Sequence, residues 1–243
     1  MRVPRLYSAE PIKGTGTHLL GANSAHYLAK VLRMGVGRPL IIFDGSGGEY
    51  SAEITALEKK SVTLSVNEFF PETRESNLPI ELVIGISRGE RFDWVLQKAT
   101  ELGVTKITPL FSERVEVKLS GERLEKKLNH WQQITISACE QCQRTIPPLF
   151  NTPQTLHQWL SENQAQLRFV LHHRTDQPLK EIAPPPQSVS ILVGPEGGLS
   201  ETEIEQAVAA QHKPLRLGPR VMRTETAPVA ALSLLQFLWG DLG

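Results

Sequence analysis

Cysteine is scarce in this chain, with two residues in 243. That excludes a disulfide-stapled fold and fits a reducing compartment, so a cytoplasmic protein is expected. Cys139 and Cys142 form a lone C-x-x-C at the end of a helical pattern. With no second pair to complete a ligand set, no metal is expected, even counting His172 and His173 as further donors. Neither a signal peptide nor an apolar run of membrane length is evident, so no membrane partner is expected. Positive charge has no excess, since 26 Lys+Arg balance 26 Asp+Glu, and the overall basic footprint of many nucleic-acid binders is missing. Internal repeats are not evident. The common nucleotide fingerprints are absent too: no G-x-G-x-x-G follows a first strand, and no G-x-x-x-x-G-K-[ST] occurs. Dinucleotide dehydrogenases, ordinary Rossmann enzymes and P-loop NTPases are thereby set aside.

What the chain does have is a pair of glycine-proline turns late in the sequence, Gly194-Pro195-Glu196-Gly197-Gly198 and Leu217-Gly218-Pro219-Arg220. The first follows Val189-Ser190-Ile191-Leu192-Val193, a β-branched run of the kind a parallel sheet buries on both faces. Beyond it, Ser200 with Glu203 reads as a capping box, with Leu199 and Ile204 as a hydrophobic staple, so the turn joins a strand to a helix. Three glycines in five residues leave main-chain groups uncovered, and a ligand can approach them closely. The second turn leads through Arg220, Met222, Arg223, Glu225 and Thr226 into an apolar segment ending near Trp239. Thr224 or Thr226 is the expected cap there, and Pro228 suits the first turn of the helix.

Forty per cent hydrophobic content supports real cores, and the length permits two modest domains. The polar, proline-bracketed stretch from Pro71 to Pro79 reads as a linker, giving an expected first domain over 1–72 and a second over 73–243. Strand signals dominate the first: Leu40 to Phe43, Tyr50 to Ile54, and the alternating Val62-x-Leu64-x-Val66, around one short helix from Ala25 to Leu32. The second alternates strands (Ile80 to Ile86, Lys106 to Leu110, Leu167 to Leu171) with helices. Phe92, Val95, Leu96, Ala99 and Leu102 share one helical face that Gly103 stops, and Leu124, Leu128, Trp131 and Ile134 mark a longer helix. This is the β-α-β pattern of a mostly parallel sheet, whose ligands sit at the carboxyl ends of strands. The three prolines within Glu181 to Pro186 read as a stiff connector.

Ile191 to Ser200, followed by Leu217-Gly218-Pro219-Arg220-Val221-Met222-Arg223-Thr224-Glu225-Thr226-Ala227, resembles the SPOUT superfamily of RNA methyltransferases. Within it the chain resembles the RsmE family, which methylates N3 of a uridine in 16S ribosomal RNA. Met1 to Tyr7, Val31 to Met34, Phe43-Asp44-Gly45 and Gln97 to Val104 carry the likeness across nearly the whole chain. The resemblance implies an α/β fold: a SPOUT-type, trefoil-knotted, mostly parallel sheet domain preceded by a small PUA-like β-barrel. It also implies an S-adenosyl-L-methionine site and a homodimer, with 16S ribosomal RNA in the small subunit as partner. The cofactor would be held by Leu171, His172, the Gly194, Pro195, Glu196, Gly197, Gly198 turn, and Leu217, Gly218, Met222 and Thr226. RNA would meet Arg2, Arg5, Lys30, Arg33 and Arg88, with Arg38 close to the first four in sequence. Lys30 and Arg33, spaced i,i+3, are expected on one helix face.

Uridine N3 bears a proton, so the site must help remove it and steady the charge that spreads onto O2 and O4. Arg220 and Arg223 are the candidates for the second task. Glu225 can accept the proton, or it can instead pair with an arginine and stabilise the helix start. Glu196 can meet the target base or a partner subunit, or accept backbone N–H bonds. His172 has the chemistry of a general base, but its place after a strand suits a cofactor loop. A ribose 2′-O-methyltransferase and a non-catalytic RNA-binding factor are the alternatives.

Overall fold

Strict alternation in Val62, Leu64 and Val66 puts one side of a strand in a core, and all three are buried. A computed structural model describes residues 3–172 and 185–243, so Arg2, His173 and most of the proline connector lie outside the described residues. The chain divides into two compact units, one of Met1–Glu75 with Cys139–Pro147, the other of Ser76–Ala138 with Pro148–Gly243. The sequence expectation drew a single boundary between 72 and 73 and left residues 139–147 with the second domain.

The first unit contains β1 (Arg5–Tyr7), β2 (Gly16–Leu20), α1 (Ala22–His26), β3 (Pro39–Phe43), β4 (Glu49–Leu57) and β5 (Val62–Phe70). The sheet order is β1-β3-β4-β5-β2, parallel at β1–β3 and antiparallel elsewhere. Among the described residues these ladders trace an open order and not a closed barrel. Inward residues pair across the long hairpin, Ala52 with Val66 and Ile54 with Leu64, and Leu28 and Ile42 pack on the same core. The expected helix is present but changes character, α1 running into a π-helical turn over Tyr27–Val31. Leu32 N–H reaches back five residues to Tyr27 O (3.0 Å), and Arg33 takes a positive φ of 51°. Lys30 and Arg33 are therefore not stacked on one α-helical face as expected, because the wider turn and the left-handed residue break the spacing.

Residues 139–147 join this unit through charge. Glu75 accepts from Arg144 Nε (2.7 Å) and from the backbone N–H groups of Thr145 and Ile146 (3.1 Å each). Glu140 accepts from Tyr7 N–H (3.0 Å). Cys139 is buried here, and burial pushes its thiol up to about 12.

The second unit is built on one parallel sheet, β12-β10-β11-β6-β7-β8, with β9 also on β7. The strands are β6 (Ile80–Gly85), β7 (Lys106–Phe111), β8 (Leu149–Phe150), β9 (Gln154–Thr155), β10 (Leu167–Leu171), β11 (Val189–Val193) and β12 (Lys213–Leu215). The helices are α2 (Glu90–Glu101), α3 (Gly121–Cys142, whose residues from Cys139 on belong to the first unit), α4 (Leu156–Glu162), α5 (Glu201–Ala209) and α6 (Thr226–Trp239). The period-2 pleat divides the apolar strand residues between two cores. Leu82, Ile84, Ile191 and Val193 face Phe92 and Leu96 of α2, Trp131 of α3 and Leu232 of α6. Val83, Val170 and Leu192 face Leu156 and Trp159 of α4 and Ala207 of α5. Both faces are covered, as a parallel sheet requires. Gly103 stops α2 with φ +77°, and buried Gln236 of α6 donates to the free carbonyl of Leu102 (2.9 Å) there. Among the described residues no helix is long and apolar enough to cross a membrane.

Candidate active site

β12, β10 and β11 are parallel neighbours, with Leu171 opposite Leu215 and Val170 opposite Leu192. Their carboxyl ends consequently emerge together, and the chain segments after them meet at one edge of the sheet. His172 N–H donates to Leu215 O (3.0 Å), holding the first segment to the third. A cavity of about 280 Å³ opens between the three, walled by Leu171 and His172, by Val193 to Leu199, and by Leu215 to Gly218 and Arg220 to Met222 with Thr224 and Ala227.

The middle wall is shaped by close backbone packing. A Cβ at Gly194 would lie 2.6 Å from Leu199 N and 2.7 Å from Gly198 C, so only glycine lets the turn fold back on itself. Gly85 at the end of β6 meets Pro195 in the same way, its absent Cβ falling 2.6 Å from the proline ring. Gly198 N–H closes the turn onto Pro195 O (2.8 Å) with φ +69°. The capping box then starts α5 as the spacing predicted: Glu203 N–H donates to Ser200 Oγ (3.1 Å) and Ser200 N–H to Glu203 Oε2 (2.9 Å). Glu203 Oε1 also accepts from Glu113 N–H (2.9 Å), tying the segment after β7 to this helix start. Leu199 is buried and Ile204 packs on the same cluster, as a staple would.

Of the residues expected to hold a cofactor, all line this cavity except Thr226, which is exposed at the start of α6. Arg220, expected to act on the substrate, lines it as well. Arg223 and Glu225 do not, and their side chains pair with each other at 4.0 Å, Arg223 largely exposed and Glu225 mostly covered. Neither Thr224 nor Thr226 caps α6 as expected, because the N-cap position falls on Glu225 in helical conformation with no side-chain bond. Thr226 and Ala227 N–H groups both turn to Arg223 O instead (2.9 and 3.0 Å). Sequence reasoning did not mark Thr224 and Ala227 as lining residues. The small Ala227 at a helix start was the available signal.

The cavity fits a nucleoside-sized ligand with an apolar body. Leu171, Val193, Leu217 and Met222 give it greasy walls, while a Cβ added at Gly198 or Gly218 would meet nothing within 4 Å, so the main chain there borders open space.

The expected RNA contacts divide. Lys30, Arg33, Arg38 and Arg88 are exposed. Arg5 is not: it is buried, ion-paired to Glu49, donates to Arg144 O (3.1 Å) and lies over the Phe43 ring at 5.1 Å. Its charge is spent inside the first unit, so the expectation that Arg5 meets RNA is corrected. Glu196 accepts a backbone N–H bond from Arg88 (3.0 Å), one of the roles foreseen for it.

Residues 74–236 match the model of the RNA methyltransferase domain family, and residues 20–67 match that of the RNA methyltransferase PUA domain. A ribosomal RNA small subunit methyltransferase E from Buchnera aphidicola is 33% identical over 99% of this chain and 95% of its own. One of the same name from Bacillus subtilis is 30% identical over 94% and 93%. Among solved structures, a methyltransferase from Legionella pneumophila in complex with bound SAM is 39% identical with a TM-score of 0.96. A ribosomal RNA small subunit methyltransferase E from Neisseria gonorrhoeae bound to S-adenosyl methionine is 36% identical with a TM-score of 0.92. Each of these two covers 100% of both chains. With both of its units matched by family models and its whole length by relatives, the chain belongs to the ribosomal RNA small subunit methyltransferase E family.

Proposed function

We propose that this protein transfers a methyl group from S-adenosyl-L-methionine to N3 of a uridine in 16S ribosomal RNA, in the assembled small subunit and therefore in the cytoplasm. The observation that carries the reading is the cavity where β10, β11 and β12 end, with its glycine-lined walls. When bound, the cofactor supplies an electrophilic methyl on a positively charged sulfur. Leu171, Leu217 and Met222 would cover its adenine, and the main chain of the 194–198 turn would take its polar edges. We assign this meeting of three segments to a trefoil knot and the first unit to RNA binding through Lys30, Arg33 and Arg38.

The chain's own contribution is orientation and charge. As uridine N3 loses its proton, negative charge grows on O2 and O4, and the guanidinium of Arg220, which lines the cavity, would meet it. Glu225, 4.0 Å from the Arg223 guanidinium and next in sequence to the lining residue Thr224, takes up the proton. The substrate must present N3 unpaired, since that atom lies on the pairing edge of the base. A homodimer completes the site, with α6 as interface: Leu234, Phe237 and Leu238 remain exposed on this otherwise apolar helix.

The test is transfer of labelled methyl from S-adenosyl-L-methionine to small subunits purified from cells that lack the protein, with naked 16S RNA in parallel and the modified nucleoside identified. 3-Methyluridine, formed faster on subunits, is the expected product. A 2′-O-methylated nucleoside, or cofactor binding with no transfer, would overturn the reading.

A further inference from the structure

A second cavity, of about 530 Å³, borders the 194–198 turn, and Glu196 and Gly197 line both. Three arginines converge on it, alongside the three glutamates Glu113, Glu116 and Glu196. Arg88 comes from the segment after β6, Arg91 from the first turn of α2, and Arg114 from the segment after β7. Each is held by a partner that an anion could replace or share. Arg88 pairs with Glu116 at 2.6 Å with both side chains about two-thirds exposed, and Arg91 stands 3.8 Å from Glu196. Arg114 donates to Gly197 O (2.8 Å), and its aliphatic stem fills the space that a Cβ on Gly197 would need. Exposed pairs of this kind bind weakly, whereas a guanidinium grips a phosphate through two parallel hydrogen bonds.

Resting on the methyltransferase reading, we propose that this arginine-lined cavity seats the RNA phosphodiester beside the target uridine. Arg88 and Arg91 exchange Glu116 and Glu196 for phosphate oxygens. Arg114 stays on the cofactor turn as the fixed floor of the site. A single turn of backbone then stands between the anchored phosphate and the cofactor cavity. Glu196 remains held by the backbone N–H of Arg88 (3.0 Å) when Arg91 leaves it, so the cofactor cavity keeps its wall. The neutral overall charge of the chain is compatible with RNA binding on these terms, because the cations are released locally from carboxylates and not supplied as an excess.

The experiment measures binding of transcribed 16S RNA to the full-length protein as potassium chloride is varied, for wild type, Arg91→Gln, Arg88→Gln and Glu116→Gln. Calorimetry gives S-adenosyl-L-methionine affinity for each. A lost phosphate contact lowers the slope of log K against log salt by roughly 0.7–0.9. Arg91→Gln and Arg88→Gln are expected to show that loss, with RNA affinity down about tenfold and cofactor affinity within twofold of wild type. Glu116→Gln, which frees Arg88 of its competitor, is expected to tighten RNA binding. Unchanged slopes in both arginine variants would overturn the proposal. So would a fall in cofactor affinity matching the fall in RNA affinity, which would assign the arginines to the methionine carboxylate or to the turn's shape. Methyl transfer by the wild type to purified small subunits is recorded in parallel. Its absence would sink the methyltransferase reading, whereas transfer with unchanged slopes sinks only the phosphate site.

Discussion

Arg220 is the one cation proposed for chemistry that lines the cofactor cavity, and a positioned cation facing developing oxyanion charge is worth about 10²–10³ in rate. Arg220→Ala should therefore lower kcat by roughly that factor with S-adenosyl-L-methionine affinity preserved; an equal loss in both would show that it holds the cofactor. Glu225→Gln should lower kcat on the order of 10²-fold, the low end for a lost general base, with the melting temperature unchanged. A drop in melting temperature at constant kcat would assign Glu225 to the helix start that it occupies. A third residue governs stability. His212 is buried, with Nδ1 facing Ala207 O (3.1 Å) and Nε2 facing Asn163 Nδ2 (3.1 Å). Nδ1 thus carries the proton, Nε2 accepts, and the ring must stay neutral. Burial first of all, with Arg168 adding to it, holds His212 below its ordinary value of 6.5. The unfolded chain takes up this proton near 6.5 and the folded chain only at lower pH. Stability from this group is thus intact above about 6.5 and declines as pH falls toward the folded value. Melting temperature should drop more between pH 7.5 and 5.5 for wild type than for His212→Gln, and parallel drops would refute the assignment.

At the scale of elements, the turn after β11 depends on one missing side chain. Gly194→Ala puts a methyl 2.6 Å from Leu199 N, a collision with main chain that no rotamer relieves. Loss of cofactor binding by calorimetry is the expected outcome, with a cooperative melt retained. Ser200→Ala removes one half of the capping box and should cost about 1 kcal/mol, read as a fall of roughly 2–4 °C in melting temperature. Both features were legible in the sequence, because glycine spacing and S-x-x-E encode local geometry that needs no knowledge of the rest of the chain. The helical faces of α2 and α3 were legible for the same reason. What stayed hidden depended on distant partners or on brevity. β8 and β9 are two residues each, too short for any period to register. β12 carries Pro214, which demotes a strand reading, yet it lies at the sheet edge where proline is tolerated. α4 announced itself through Thr155 and Gln158, a second capping box that the reading passed over. Arg5 looked like a surface cation because nothing near it in sequence says that Glu49, 44 positions on, will neutralise it.

For the whole molecule, the exposed row on α6 bears on association. Phe237 is 62% exposed, and covering a side chain of that size contributes on the order of 1.5–3 kcal/mol per copy. Phe237→Glu should convert the proposed dimer to a monomer by light scattering and depress methyl transfer without disturbing the fold. A wild type already monomeric at working concentration would remove the interface. The grouping of residues 139–147 with the first unit was invisible in the sequence, since it hangs on Glu75 meeting Arg144 across 69 positions. One consequence concerns the order in which a ribosome makes the chain. The cavity's third wall begins at Leu215, the end of β12, and β12 is the last strand of the described residues to be synthesised. A nascent or prematurely terminated chain that stops before residue 213 has two walls and no enclosure. On the proposed reading, cofactor capture would report that translation has passed that point, and truncated products would be inert from the outset.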